Sequence, residues 1–426
     1  MRFSSLPEWL TWQEGLHPST IELGLERVSK VFKRLHPTLP SIPVITVAGT
    51  NGKGSSVALL ESIYQNAGYR SGTYTSPHLL RYNERIHING EEVSDEKICE
   101  AFARIDKARL ENNEEISLTY FEFGTLAALD LFYHTEPDVI ILEVGLGGRL
   151  DVVNIVDADV ALITSISIDH TNWLGNDRET IAIEKAGIMR ANHPVVYSSP
   201  DMPQSIAETA KSKGAVLFQR GKDFDWKKGM GSASWEWKSN KQQRTALPHS
   251  NLRGRHQLDN AAGVLMAIEL LAGKLSVNQK QIKDGLLSVS VAGRFQCEPG
   301  TPMHILDVAH NQGSMACLAE SLKLQACDGN NIAVLGMLND KAHTDALAEM
   351  MPEISKWYVA DLDVPRGATS EKLASVLKGL DESSDVSCFT SVEQAIKAAD
   401  EAAENNDRVI IFGSFYTVEL GLILVT

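Results

Sequence analysis

Lys53 lies in the octapeptide Ala48-Gly49-Thr50-Asn51-Gly52-Lys53-Gly54-Ser55, and residues of these types in this order suit the binding of phosphate. The octapeptide follows the apolar run Ile42-Pro43-Val44-Ile45-Thr46-Val47, which reads as a buried strand. It leads into Val57-Ala58-Leu59-Leu60-Glu61-Ser62-Ile63-Tyr64, whose apolar residues recur at helical spacing. A glycine-rich turn between strand and helix lets backbone N–H groups face anionic oxygens. The positive end of the helix and a lysine ammonium add to that attraction. The spacing departs from the standard nucleotide loop, whose glycines lie further apart and whose hydroxyl residue follows the lysine directly. Here two residues separate Gly49 from Gly52, and Gly54 delays the hydroxyl to Ser55.

Nucleotide phosphates need Mg²⁺, so a displaced hydroxyl calls for a metal ligand from elsewhere. The strand-like run Tyr69–Tyr74 ends in Thr75-Ser76-Pro77-His78-Leu79, where Ser76 either takes the metal or simply starts a turn before Pro77. A third run, Asp138-Val139-Ile140-Ile141-Leu142-Glu143, has the continuous apolar character of a central parallel strand and closes on a carboxylate. That is the arrangement that holds Mg²⁺ beside a phosphate loop, and burying Glu143 without a partner would be costly. The next strand, Val160–Ile166, runs out at Ser167-Ile168-Asp169-His170-Thr171. Four strand ends thus deliver a phosphate loop, Ser76, Glu143 and His170 in turn, and ligands of open α/β sheets gather at such carboxyl ends.

The elements that carry these residues alternate between strand and helix as far as Pro200. From Phe218 to Pro248 the composition changes to tryptophans and lysines, and Trp235-Glu236-Trp237 alternates like a strand of a small antiparallel excursion. A helix is expected from Gln257 to Ala272, then a hinge at Ser290-Val291-Ala292-Gly293-Arg294-Phe295. Beyond it come strands at Met303–Asp307, Asn331–Gly336, Lys356–Ala360 and Arg408–Phe412, with helical segments such as Val392–Ala403 between them. The expected fold is α/β: a parallel-sheet ATPase domain with a phosphate loop over residues 1–290, then a smaller Rossmann-like α/β domain over 291–426. The apolar end, Gly421–Thr426, forms a last strand or helix.

A chain of 426 residues is too long for one ordinary core. With 40 basic against 55 acidic residues, a net charge of −15 argues against nucleic acid or anionic membranes as partners. Five scattered cysteines without a C-x-x-C pair suit free thiols in a reducing cytoplasm. The N-terminus lacks the apolar core of a signal peptide, and no apolar stretch reaches spanning length. The expectation is a cytoplasmic protein that acts as a monomer.

The strings GTNGKGS, TSPHLLRYNERIHING, LTYFEFGT, ILEVGLGGRLDVVNIV, SIDHTNWLG, EKAGI, GRHQLDNA and DVAHN resemble, in this order and spacing, the bifunctional dihydrofolate synthase/folylpolyglutamate synthase family. These are relatives of the muramyl peptide ligases, and the resemblance runs from Thr20 to Thr417. GTNGKGS is shared with the muramyl ligases; LTYFEFGT and LEVGLGGRLD are specific to the folate branch. A muramyl ligase would need an N-terminal nucleotide-sugar domain, for which the residues before the loop are too few. A nucleotide-driven switch would not need the LTYFEFGT segment.

A carboxylate and an ammonium form a salt at neutral pH, so an amide ligase must first make the carboxylate electrophilic. The resemblance implies that ATP converts a folate carboxylate to an acyl phosphate, from which the amine of L-glutamate displaces phosphate. Dihydropteroate and reduced folates are the implied acceptors. It further implies ATP contacts from Gly49, Thr50, Asn51, Gly52, Lys53, Gly54, Ser55, His256, Gln257, Asn260, Arg294, Asp307 and His310. One or two Mg²⁺ ions are implied on Ser76, Glu143 and His170, with a possible monovalent cation. Lys53, Lys185 and His170 are the implied catalytic residues. Lys185, otherwise an ordinary helix lysine, matches one that is carbamylated in the related ligases and so becomes an anionic metal ligand. Folate contacts are implied for Thr20, Ile21, Glu22 and Leu23, for Thr119, Tyr120, Phe121 and Glu122, and for Leu150 and Asp151. The alternative for the aromatic segment is core packing, the role expected of Phe123. One departure stands out: DVAHN is followed by Gln312-Gly313-Ser314 instead of the usual proline, which weakens the expectation of phosphate contacts there.

Overall fold

The computed structural model describes residues 2–19, 21–229, 234–325 and 327–426. The chain forms two compact units that are not contiguous in sequence. The first comprises the chain to Ile166, Asp177–Asn251 and Asp259–Val289; the second comprises Ser167–Asn176, Leu252–Leu258 and Ser290–Thr426.

The first unit is built on eight strands: β1 (Val44–Ala48), β2 (Ser71–Tyr74), β3 (Ile86–Ile88), β4 (Glu91–Glu92), β5 (Val139–Glu143), β6 (Val160–Ile163), β7 (Pro194–Tyr197) and β8 (Val216–Gln219). Their order is β4-β3-β2-β5-β1-β6-β7-β8. β2, β5, β1, β6, β7 and β8 run parallel, and β3 and β4 fold back as an antiparallel edge. Every residue of β1, β2, β5 and β6 is buried, because helices cover both faces of the sheet. The register pairs Tyr74 with Leu142, Val47 with Glu143 and Ala48 with Ile163. Four neighbouring strands therefore end in step, and whatever follows them emerges along one edge.

The helix Lys53–Asn66 packs on the sheet and against the helix Gln279–Ser288. A side chain at Gly285 would come within 2.7 Å of the Ile63 backbone, so glycine permits this close approach. Three further strands, β9 (Phe224–Lys228), β10 (Ser234–Ser239) and β11 (Gln243–Pro248), form a separate antiparallel sheet. Trp235 and Trp237 are fully buried, and their indole N–H groups donate to the carbonyls of Pro248 and Ala262. These rings are anchors of the small sheet.

In the second unit six strands, β12 (Gln296–Glu298), β13 (Met303–Asp307), β14 (Asn331–Leu335), β15 (Lys356–Ala360), β16 (Asp385–Phe389) and β17 (Arg408–Phe412), are ordered β12-β13-β17-β14-β15-β16. All pairs are parallel except β12 with β13. Ile305, Leu335, Trp357, Ile410 and Phe412 are at the heart of its core. The apolar C-terminus is a helix, Phe415–Val425. Among the described residues no helix is long and apolar enough to cross a membrane, and the five cysteines are free thiols.

Candidate functional site

β1 stops at Ala48 and the helix begins at Lys53, so the loop between them turns within a few residues. Gly52 caps the helix at φ 92°, a left-handed conformation that a side chain would strain. A Cβ there would also meet the Asn260 amide at 2.5 Å, and one at Gly49 would strike the Thr164 hydroxyl at 1.8 Å. The loop is clamped to the end of β6: the Thr50 N–H donates to the Ser165 carbonyl (2.7 Å), and the Thr164 and Ser165 hydroxyls donate to the Asn51 carbonyl (2.8 and 3.2 Å). A rigid turn of this kind aims the first-turn N–H groups of the helix, which have no carbonyl within the helix to bond, at the space above the loop. Such a cradle fits phosphate.

Both lysines close on this turn. Lys53 Nζ donates to the carbonyls of Gly49 (3.2 Å) and Thr50 (3.3 Å). Lys185, buried at the end of the helix Arg178–Lys185, donates to Gly49 from the other side (2.8 Å). Its position depends on the loop after β5. The Arg149 N–H donates to the Glu184 carbonyl (2.8 Å), and a Cβ on Gly148 would meet that carbonyl at 2.8 Å. Gly187 packs so tightly on Arg149 that a Cβ would lie 2.2 Å from its Cα. The glycines of GLGGR and EKAGI therefore let two backbones touch, and that contact seats Lys185.

Glu143 ends β5 with a buried side chain, and the Ser76 N–H lies 3.3 Å from its Oε2. A carboxylate beside a serine is a set of hard oxygen donors, the chemistry Mg²⁺ prefers. Asp151 is buried nearby in sequence; its carboxylate accepts the N–H groups of Leu146 (2.7 Å) and Val153 (3.0 Å). Burial pushes its pKa up to about 6, against these hydrogen bonds and the Lys53 charge. Its two anchoring bonds hold the Gly145–Leu150 loop in shape.

At the other expected substrate segment, Thr119 caps the helix Tyr120–Thr135 and Glu122 closes the box. The Glu122 N–H donates to Thr119 Oγ1 (3.2 Å), and the Thr119 N–H donates to Glu122 Oε2 (2.8 Å). The remaining oxygen, Oε1, accepts from Arg27 (2.8 Å). Arg27 also pairs with Glu22 (3.2 Å), which in turn meets His17 (2.9 Å). Glu122 and Glu22 are thus engaged in tying the N-terminal segment to this helix. Ile21 and Leu23 are half-buried, as is Leu150, and Thr20 lies outside the described residues.

Tyr120 and Phe121 keep partly open faces. Phe121 lies over Gly145, where a Cβ would meet its ring at 2.4 Å, and 6.1 Å from Tyr74. The Arg85 guanidinium sits over both Tyr82 (5.4 Å) and Tyr120 (5.6 Å) and donates from Nε to His78 Nδ1 (2.7 Å). Burial first, then the Arg85 charge, brings the His78 pKa down to about 4. Arg85 and His78 were no part of the expected site. The one signal for them is the basic and imidazole side chains within TSPHLLRYNER.

His170 belongs to the segment Ser167–Asn176, which packs with the second unit. It is exposed and adopts φ 52° at the start of a short helical turn. Its neighbour Asp169 is gripped there by Lys341 (2.7 Å), Asn311 (3.0 Å) and His310 (3.5 Å). Burial would raise the pKa of Asp169, but His310 and Lys341 outweigh it and hold the carboxyl well below the usual range. Asp307, at the end of β13, accepts the N–H groups of Phe295 and Ala309 (both 2.8 Å). Arg294 lies over the Phe415 ring at 5.4 Å. His256 is half-buried, its pKa brought down to about 4 by desolvation and then by the Arg294 charge.

A parallel sheet that ends in a phosphate loop, a buried carboxylate and two converging lysines, followed by a Rossmann-like unit, defines a Mur-type ligase. The Mur ligase middle domain matches residues 47–268, and the Mur ligase glutamate ligase domain matches 293–415. Among curated relatives, the dihydrofolate synthase/folylpolyglutamate synthase of Escherichia coli strain K12 is 45% identical over 415 residues, covering 97% of this chain and 94% of that protein. The solved structure of E. coli FolC in complex with DHPP and ADP superposes with a TM-score of 0.92 at 44% identity, covering 99% and 98% of the two chains. A bifunctional folylpolyglutamate synthase/dihydrofolate synthase with Mn, AMPPNP and L-glutamate bound gives 0.89 at 45% identity, covering 99% and 98%. The chain belongs to the dihydrofolate synthase/folylpolyglutamate synthase family.

Proposed function

We propose that the protein is an ATP-dependent ligase that joins L-glutamate to dihydropteroate, giving dihydrofolate, and to the γ-carboxylate of folylpolyglutamates. The observation that carries this reading is the convergence of Lys53 and Lys185 on the Gly49-Thr50 turn, one strand away from buried Glu143. The names of its relatives and the ligands in their structures support the substrates.

In the first step a carboxylate oxygen of the folate attacks the γ-phosphorus of ATP and ADP leaves, giving an acyl phosphate. In the second, the glutamate amine attacks the acyl carbon, inorganic phosphate departs, and the nitrogen loses its proton. Phosphoryl transfer asks mainly for positioning and charge neutralisation. Lys53 neutralises the β- and γ-phosphates while the loop amides fix their position. Ser76, Glu143 and His170 are the residues that would hold Mg²⁺, which supplies further neutralisation of phosphate charge when bound. Lys185, carbamylated, would add an anionic ligand; its buried place against the loop supports that role. Tyr120, Phe121 and Arg85 offer a flat face suited to a pterin. Arg294, Asp307 and His310 would serve the nucleotide from residues 291–426. The free thiols support a reducing, cytoplasmic setting.

The test is an assay with purified protein, ATP, Mg²⁺ and labelled glutamate, with dihydropteroate or a reduced folylpolyglutamate as parallel acceptors. The expected result is an amide product with one ADP formed per bond. ATP hydrolysis indifferent to both acceptors would overturn the proposal.

A further inference from the structure

In the first unit, His36, Asp130 and His134 each present a donor atom within 4.8 Å of the other two. His36 ends the helix Glu26–Leu35, and Asp130 and His134 stand one turn apart on the helix Tyr120–Thr135. Among the described residues this is the one such trio of histidine, cysteine or carboxylate side chains.

The trio has the features of a built site. His36 Nε2 lies 3.1 Å, and His134 Nδ1 3.5 Å, from the same oxygen, Asp130 Oδ1. Donors around a tetrahedral ion at about 2.0–2.1 Å stand roughly 3.4 Å apart, so these two separations already suit a shared cation. His134 Nδ1 also donates to the Asp130 main-chain carbonyl (2.7 Å), so its half-exposed ring must turn and give up that bond to join the ion. The other carboxylate oxygen, Oδ2, is held by Arg104 through Nε (2.8 Å) and a second guanidinium nitrogen (2.6 Å). That clamp fixes the carboxylate with Oδ1 toward the imidazoles, the orienting role that outer partners play at metal sites. Asp130 is fully buried and His36 nearly so, while exposed His134 leaves a path for the ion and for water as a further ligand.

We propose that His36, Asp130 and His134 form a binding site for a borderline divalent cation of the Zn²⁺ type, separate from the nucleotide's Mg²⁺. Two imidazoles and one carboxylate select such an ion over Mg²⁺, which demands oxygen donors. Bound, it would staple the helix Glu26–Leu35 to the helix that carries Tyr120 and Phe121 at its other end. Arg104 extends the staple to the helix Asp95–Arg109.

The experiment titrates Zn²⁺ alone into tag-free, chelator-stripped full-length protein by calorimetry, with excess Mg²⁺ present to fill oxygen-rich sites. One saturable Zn²⁺ per chain is expected, with a higher unfolding temperature. His134→Ala and His36→Gln should each weaken binding at least about tenfold and abolish the thermal shift. Glu143→Gln should leave both unchanged. His134 is exposed, so its variant folds on any account and decides alone if His36→Gln does not. Absence of saturable Zn²⁺, binding unaltered in His134→Ala, or binding lost in Glu143→Gln would each overturn the site.

Discussion

The phosphate loop and the Thr119–Glu122 corner both concentrate polar side chains at the start of a helix in the first unit, yet they use them oppositely. At the loop, Lys53 leans on carbonyl oxygens of Gly49 and Thr50. Neutral dipoles steady an ammonium without cancelling its charge, which remains for an anionic ligand. At the corner, Glu122, Arg27 and Glu22 form a chain of opposite charges that ends on His17, and Glu122 also closes a capping box. Charges consumed in this way hold elements together. The lesson is that the partner, not the residue type, separates chemistry from architecture.

The largest effect should come from Lys53→Ala. Amide formation should fall by on the order of a thousandfold or more, as when other phosphate-neutralising cations are removed, with thermal unfolding unchanged. Turnover near the parent rate, measured alongside a normal melting curve, would remove Lys53 from the chemistry.

Lys185→Ala should come next, losing ligase activity because the anionic ligand goes with the side chain. Acetate or formate should restore part of the rate by occupying the vacated space, whereas Lys185→Arg should stay inactive. Full activity of the alanine variant, together with an unmodified mass for the parent residue, would make Lys185 architectural like Glu122.

Glu122→Ala should show the reverse signature. Loss of the box and of the Arg27 pair should cost about 2 kcal/mol in denaturant unfolding, with a smaller change in turnover. Unchanged stability with collapsed turnover would move Glu122 into the substrate site and erase the contrast.

The smallest expected effect is a pH dependence at the aromatic face. His78 accepts the Arg85 N–H only when neutral, and its pKa of about 4 lies below the ordinary 6.5. The unfolded chain therefore binds this proton first, and stability should fall as pH drops from 6.5 toward 4. His78→Gln retains an acceptor but no titration, so its stability should vary less between pH 7 and 5. Parallel curves for parent and variant would show that His78 contributes nothing to acid sensitivity.

Much of the site was legible because its geometry is local. Glycines at fixed places between an apolar strand and a helix specify a phosphate turn wherever they occur, and Glu143 ends a strand whose burial can be read from its own composition. The pairing of Glu122 with Arg27 is invisible in the sequence because the two lie 95 residues apart. Arg85 has no local signature of its place, since it reaches Tyr120 only after β3 turns back on β2. The second unit was legible in its apolar strands, but exposed β16 and short β12 carried too little pattern to be seen.

By itself, then, the sequence determined the alternation of strands and helices, the phosphate turn and the family, because each rests on residues close together or on strings in a set order. Tertiary structure alone decided that four strands end in step, that Gly148 and Gly187 bring two backbones together to seat Lys185, and that Ser167–Asn176 packs with the second unit. It also decided which charges are paired. Pairing depends on distances between residues far apart in the chain, and such distances exist only once the chain has folded.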